Sequence, residues 1–261
     1  MNDQTVLDTE LGPIRILHPP GTFALTPASR IGIRAIVANR ALLQGSGIDW
    51  GSGTGCLALT AAKIAAVRQV TGLELSEPDV RIARQNARLN AVERKVTFFH
   101  ANSYAPFSPE EREAFDALAG QTDFILANPP SSEGGDGFGY RRVVLSGAQR
   151  NLRHGGVLFL SISYQYGVER IAQLTEEIGG FTYGGVLATT GWVPFDLARP
   201  DLLHCLELYA QEEDHGGLAY AFAHPEAPDD EPLTARAALD YYQRTGRSPL
   251  SRWQAHLFRR Q

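Results

Sequence analysis

Between residues 47 and 178 the chain alternates short runs of consecutive apolar residues with longer stretches in which apolar positions recur every three or four residues. The first pattern predicts buried strands, the second amphipathic helices. Residues 47–50 (GIDW), 69–75 (QVTGLEL), 95–101 (KVTFFHA), 122–127 (TDFILA) and 156–163 (GVLFLSIS) read as strands. Residues 55–67 (GCLALTAAKIAAV), 78–90, 139–152 and 167–178 read as helices, and Ser108-Pro109-Glu110-Glu111 opens a shorter one. Repeated strand–helix alternation, with strands apolar on both faces, predicts an α/β chain with a mostly parallel sheet covered by helices on each side.

Two flanks break the alternation. Residues 12–25 (GPIRILHPPGTFAL) read as a short hairpin, and Thr26-Pro27 begin a helix that runs to Leu43. After residue 180 the pattern turns β-like, with 181–190 and 202–210 flanking a polar turn at Arg199-Pro200-Asp201. These two segments are expected to close a seven-stranded sheet as a terminal antiparallel hairpin. The acidic, proline-rich stretch 223–232 (AHPEAPDDEP) reads as a linker or exposed loop. Residues 233–260 read as helical, a lid or a packing strut carrying Tyr241, Tyr242, Trp253 and Phe258. The expected organisation is an N-terminal hairpin and entry helix (1–43), a central α/β domain (44–211) and a C-terminal extension (212–261).

Composition narrows the class. The 261 residues are 43% hydrophobic and 20% charged, as in an ordinary globular protein with ample core. A formal net charge of -5 gives no global attraction to nucleic acid or anionic membrane. The two cysteines, Cys56 and Cys205, form no framework or metal pair and fit a reducing compartment. The opening MNDQTVLDTELGP lacks the apolar core of a signal peptide, and no stretch reaches the apolar length of a membrane span. A soluble, cytoplasmic protein without a membrane partner is expected.

Chemistry concentrates at strand ends. IDWGSGTGCLAL places Asp49, Gly51, Gly53 and Gly55 at a strand-to-helix turn, where glycine permits tight geometry and close ligand approach. A dinucleotide fingerprint would need a third glycine where Cys56 stands. Glu74 ends the second strand, where an acid can accept hydrogen bonds from both ribose hydroxyls of a nucleotide. The fourth strand stops at Asn128-Pro129-Pro130, whose prolines remove two backbone donors and stiffen the chain. The corner thus holds one shape and presents an amide and free carbonyls.

Asp-x-Gly-x-Gly-x-Gly from Asp49 to Gly55 resembles the first motif of class I S-adenosylmethionine (SAM) methyltransferases, and Asn-Pro-Pro resembles the NPP motif of the amino-group methyltransferases. GGDGFGYRRVVLSGAQRNLRHGGVLFLSISYQYG, after the corner, is similar to the corresponding segment of the HemK/PrmC protein-glutamine methyltransferases, as is FALTPASR (23–30) to their entry helix. The resemblance spans roughly residues 20–210. It implies a Rossmann-like class I methyltransferase fold in which the glycine turn approaches the amino-acid moiety of SAM and the third strand end meets adenine. By that resemblance Asp49, Gly51, Ser52, Gly53, Thr54, Gly55, Glu74, Leu75, Asn102, Ser103 and Asn128 hold SAM. Asn102 stands where the family usually has an acid, and its side-chain oxygen can accept the same hydrogen bond without charge. His100 reads as structural. Asn128 and Pro129 are the catalytic candidates, accepting the two hydrogens of a substrate –NH2 so that its lone pair points at the methyl group. No metal is implied.

The chain departs from the family in four places. Ser131 replaces an aromatic residue that stacks a flat substrate in adenine-modifying relatives, the loop after the corner is short, the segment ahead of the resemblance is expected to leave no room for the family's N-terminal helical docking domain, and the tail after 211 matches no part of the family's pattern. The expected acceptor is an amide or amino nitrogen on a small molecule or protein side chain. Two rivals are RNA or DNA amino methylation, disfavoured by Ser131 and the acidic balance, and a non-catalytic SAM-fold partner subunit. The acceptor's identity and the oligomeric state are open at this level.

Overall fold

Five of the apolar runs lie side by side in one sheet because each is buried on both faces and can be covered only by helices above and below. The computed structural model describes residues 4–130 and 136–261. Strands β1 (Gln4–Leu7) and β2 (Ile14–Leu17) form a separate antiparallel hairpin ahead of helix α1 (Pro27–Ala38). There follow β3 (Gly45–Trp50), α2 (Cys56–Ala62), β4 (Val67–Glu74), α3 (Glu77–Leu89), β5 (Val96–Asn102), β6 (Ala105–Pro106) and α4 (Pro109–Asp116). Next come β7 (Thr122–Ala127), α5 (Gly139–Asn151), β8 (Leu152–Ser161), α6 (Gly167–Ile178) and β9 (Phe181–Thr189). The chain ends with β10 (Val193–Pro194), α7 (Pro200–Asp214), α8 (Ala235–Thr245), β11 (Leu250–Ser251) and β12 (Gln254–Arg260).

Among the described residues the large sheet has eight strands in the order β6-β5-β4-β3-β7-β8-β12-β9. Strands β5, β4, β3, β7 and β8 are parallel, and β12 runs antiparallel to both of its neighbours. Alternate residues of β7 serve the two cores: Phe124 and Leu126 pack with α1 to α3, while Ile125 and Ala127 pack with α5 to α8. Helix starts follow from local chemistry. Thr26, Ser76 and Ser108 each accept a backbone N–H of the first turn, and each is followed by proline within two positions. Among the described residues no helix is long and apolar enough to cross a membrane.

Several sequence expectations are corrected. The sheet has eight strands rather than seven, the extra one being the two-residue β6 at its edge. The terminal antiparallel pairing exists, but its partner for β9 is β12 and not residues 202–210. Residues 202–210 are helical: Leu202, Leu203, Leu206, Tyr209 and Ala210 recur at helical spacing behind Pro200 at the first turn. The tail read as wholly helical is helix only in α8, and 254–260 is a strand. Lying between β8 and β9, that strand is covered on both faces, so Ala255, His256, Leu257 and Phe258 are all buried and no two-residue alternation marks them.

At the N-terminus the hairpin is β1–β2, not 12–25, and α1 stops at Ala38, short of Leu43, with a single 3₁₀ turn at Arg40–Leu42. The second helix ends at Ala62 because Val67 already belongs to β4. Residues 223–232 form turns closed at their base by a bridge between Phe222 and Leu233, as their prolines and acids suggest. The expectation for Ser131 lies outside the described residues.

Candidate active site

Register brings the strand ends into line. Trp50 pairs with Leu73 and Ala127, Leu73 with Phe99, and Ala127 with Leu160, so these five residues form one row across β5, β4, β3, β7 and β8. Glu74, Asn128 and Ser161 each stand one residue past that row, at the carboxyl edge where open α/β sheets bind ligands. A cavity of about 940 Å³ opens along this edge, near the upper end of the roughly 300–1,000 Å³ typical of small-molecule and cofactor sites.

At one end of the cavity the glycine turn and Glu74 are built together. Glu74 Oε2 accepts the N–H of Gly53 at 2.7 Å, and Oε1 accepts that of Ser76 at 2.7 Å. An ionised carboxylate has about four acceptor sites, so each oxygen retains one for a ligand hydroxyl. Gly51 (φ 64°) and Gly53 (φ 52°) occupy the left-handed region, which a side chain disfavours. Open space surrounds the position a Gly51 side chain would take, whereas one at Gly53 would press on the Phe23 ring. That ring is set by Asp79, which accepts the Phe23 N–H at 2.7 Å, and by the Thr54 hydroxyl donating to the Phe23 carbonyl at 3.2 Å.

Asp49 lies beneath the turn, 1% exposed, and Oδ2 accepts the Ala58 N–H at 2.9 Å while Oδ1 has no partner among the described residues. The Ser52 hydroxyl is likewise buried without a partner among the described residues. Leu75 is 60% exposed at the lip beside Glu74. Asn102 is exposed at the end of β5, and the Ser103 hydroxyl accepts from Trp50 Nε1 at 2.9 Å. Except for Thr54 and Gly55, every candidate from the sequence lines this one cavity.

Burial pushes the Asp49 carboxyl up to about 8, with the Glu74 charge adding to the rise and the Ala58 N–H opposing it. Between the ordinary value of 3.8 and about 8 the folded chain holds a proton that the unfolded chain releases. The Asp49 contribution to stability therefore falls as pH rises through that window, by up to about 1.4 kcal/mol per pH unit, and is flat above it. Asp49→Asn has no such proton to lose. Its melting temperature relative to the native chain is expected to rise from about pH 5 to about pH 8. An offset that stays constant across that range would show that Asp49 does not titrate as its burial requires.

The fourth strand end delivers Asn128 half-buried and Pro129 buried into the middle of the cavity. Among the described residues the Asn128 side chain makes no hydrogen bond, so its amide is open to a ligand. Beyond it the cavity continues past Ser161 and Ser163 toward Arg141, Gln165 and the α7 residues Leu202, Cys205 and Tyr209. Sequence reading missed this second half. One signal was available: Arg141 lies on the apolar stripe of α5 with Val144, Leu145 and Ala148, an unusual place for a charge.

Comparison with known proteins shows the family. The methyltransferase small domain family matches residues 13–184. The chain belongs to that family, a class I group that uses SAM. Ribosomal protein L11 methyltransferase of Desulforamulus reducens is 29% identical over 53% of this chain and 39% of its own length. Release factor glutamine methyltransferase of Thermodesulfovibrio yellowstonii is 24% identical over 57% of this chain and 58% of its own. The 4-amino-L-phenylalanine/4-methylamino-L-phenylalanine methyltransferase of Streptomyces pristinaespiralis is 28% identical over 56% of each. The chain thus covers less than two thirds of the length of these relatives. Among solved structures, the tRNA m1G37 methyltransferase of M. jannaschii superposes with a TM-score of 0.54 at 12% identity, covering 99% of this chain and 55% of that one. The likeness is one of fold.

Proposed function

We propose that this chain is a SAM-dependent N-methyltransferase acting on an amide or amino nitrogen of a small molecule or a protein side chain. The observation that carries the reading is the placement of Asn128-Pro129 in the same cavity as the Glu74–Gly53 turn, one strand removed from it. The residues fit SAM: buried oxygens at Asp49 and Ser52 with no partner among the described residues, a glycine with open space above it, spare acceptor sites on Glu74 and an exposed Leu75 beside them. Glu74 would take the ribose hydroxyls, Leu75 and Asn102 the adenine, and the turn from Asp49 to Gly55 the amino-acid end.

When bound, SAM supplies an electrophilic methyl group on a sulfonium. The chain's task is to aim a weak nucleophile. A nitrogen conjugated to a carbonyl or ring has a delocalised lone pair, and two fixed acceptors on its hydrogens turn that pair toward the methyl. Asn128 Oδ1 and the Pro129 carbonyl are those acceptors, and the proline pair keeps them in place. Orientation of this kind supplies roughly 7–11 kcal/mol in favourable cases. The relatives named for glutamine and for 4-amino-L-phenylalanine carry such nitrogens in their names. A net charge of -5 disfavours RNA or DNA as acceptor, and two unpaired cysteines suit a cytoplasmic location.

Titration calorimetry with SAM and with S-adenosylhomocysteine tests the first half of the reading. One site per chain is expected for each. Absence of heat with both ligands, alongside binding of a nicotinamide dinucleotide, would refute it.

A further inference from the structure

The far half of the cavity contains a cation that has no counter-ion among the described residues. Arg141 is 3% exposed, yet it lines the cavity. Its Nε donates to the Ser161 carbonyl at 3.3 Å and its Nη1 to the Gly137 carbonyl at 3.1 Å. The rings of Phe138 and Tyr166 lie 5.3 and 4.9 Å from the guanidinium carbon. Among the described residues Nη2 makes no hydrogen bond, and no carboxylate forms an ion pair with Arg141.

Among the described residues the neighbouring charges are committed elsewhere. Both oxygens of Asp136 are taken by Arg142, at 2.8 and 2.6 Å, and Glu212 by Arg170 and Tyr220. Arg199, at the other side of the cavity, is paired with Asp201. His256 is held neutral, burial and the Arg141 charge both lowering it to about 4. A buried guanidinium with one nitrogen left without an acceptor is costly unless an anion meets it. A second free donor lies at the same end. Gln165 is buried and lines the cavity, its Oε1 accepts the Ser251 hydroxyl at 2.6 Å, and its amide nitrogen makes no hydrogen bond among the described residues.

We infer that this end is an anion-anchoring subsite in which Arg141, assisted by Gln165, receives the carboxylate of a small acceptor molecule whose nitrogen lies at Asn128-Pro129. The inference rests on the N-methyltransferase reading and specifies its substrate class. The spacing suits one molecule. Asn128 and Ser161 stand one residue past the same row on adjacent strands, and Arg141 bonds the Ser161 carbonyl. Nitrogen and carboxylate are thus separated by roughly one to two strand spacings, about 5–10 Å. The buried Tyr209 of α7 lines the same end, which favours a free small molecule over a side chain carried on a protein surface.

The test uses the full chain saturated with S-adenosylhomocysteine, titrated by calorimetry with 4-amino-L-phenylalanine, 4-aminobenzoate and L-glutamine and with the primary amide of each. At least one acid is expected to bind about 10- to 100-fold more tightly than its amide, as charged hydrogen bonds imply. Arg141→Met should erase that preference and Arg141→Lys should keep part of it. The inference is overturned if no acid outbinds its amide in the native chain, or if Arg141→Met keeps the preference. It is also overturned if Arg141→Met loses affinity for S-adenosylhomocysteine, which would assign the guanidinium to that ligand's own carboxylate. Failure of the methyltransferase reading itself would show earlier, as failure to load S-adenosylhomocysteine onto the native chain.

Discussion

Asn128→Ala is expected to lower methyl transfer by about 100-fold or more while leaving SAM affinity nearly unchanged. The side chain is half-buried, faces the cavity and makes no hydrogen bond within the described residues, so its removal leaves the fold's own bonds intact. On the proposed reading the variant loses one of two acceptors that stop the substrate nitrogen from rotating, and a misplacement of about 1 Å at a reacting centre costs on the order of 10²-fold. Because the interaction matters most when the lone pair is aimed, the loss should fall on kcat more than on KM. Asn128→Asp keeps the shape and an acceptor oxygen while adding charge, and should retain intermediate turnover. Steady-state kinetics with a confirmed acceptor, together with calorimetry on the same variants, separates the two effects. Wild-type turnover in Asn128→Ala would make the corner structural and remove the nitrogen assignment with it.

Glu74→Ala should act on the other half of the site, weakening SAM binding by about 10- to 100-fold or more. Each hydrogen bond from a ligand hydroxyl to this carboxylate is worth roughly 1.5–3 kcal/mol. Part of the loss arises within the protein, since Glu74 also holds the Gly53 and Ser76 N–H groups. Glu74→Gln distinguishes the contributions: it retains a neutral acceptor for one of those donors and should bind SAM better than the alanine variant but worse than the native chain. Unchanged affinity in Glu74→Ala, measured by calorimetry, would place the ribose elsewhere.

The end of the cavity proposed to hold the cofactor was legible as a cluster because its parts are local. Each candidate from Asp49 to Ser103 is a strand end or the turn beyond it, and parallel strands necessarily collect those ends on one edge. The Asn-Pro-Pro corner was legible for the same reason. The far side of the sheet was not, because it depends on pairing between segments distant along the chain. β12 inserts between β8 and β9, so Leu257 faces Phe159 on one side and Gly185 on the other, contacts that no local period encodes. Misreading 202–210 as strand had a related cause. Its leucines and Tyr209 make a dense apolar run that resembles a strand, although their spacing and the preceding proline are helical. Arg141 escaped notice because a lone charge on an apolar stripe looks like solvent-facing polarity until the helix is docked.

The central claim, transfer of a methyl group to a nitrogen held at Asn128, is tested most directly by locating the transferred group. The purified chain is incubated with SAM carrying a trideuterated methyl group and with fractionated cell extract, and labelled products are sequenced by tandem mass spectrometry. The geometry predicts label on an amide or amino nitrogen, lost when Asn128→Ala replaces the native chain. Label on oxygen or carbon, or SAM bound tightly with no label transferred to any fraction, would contradict it.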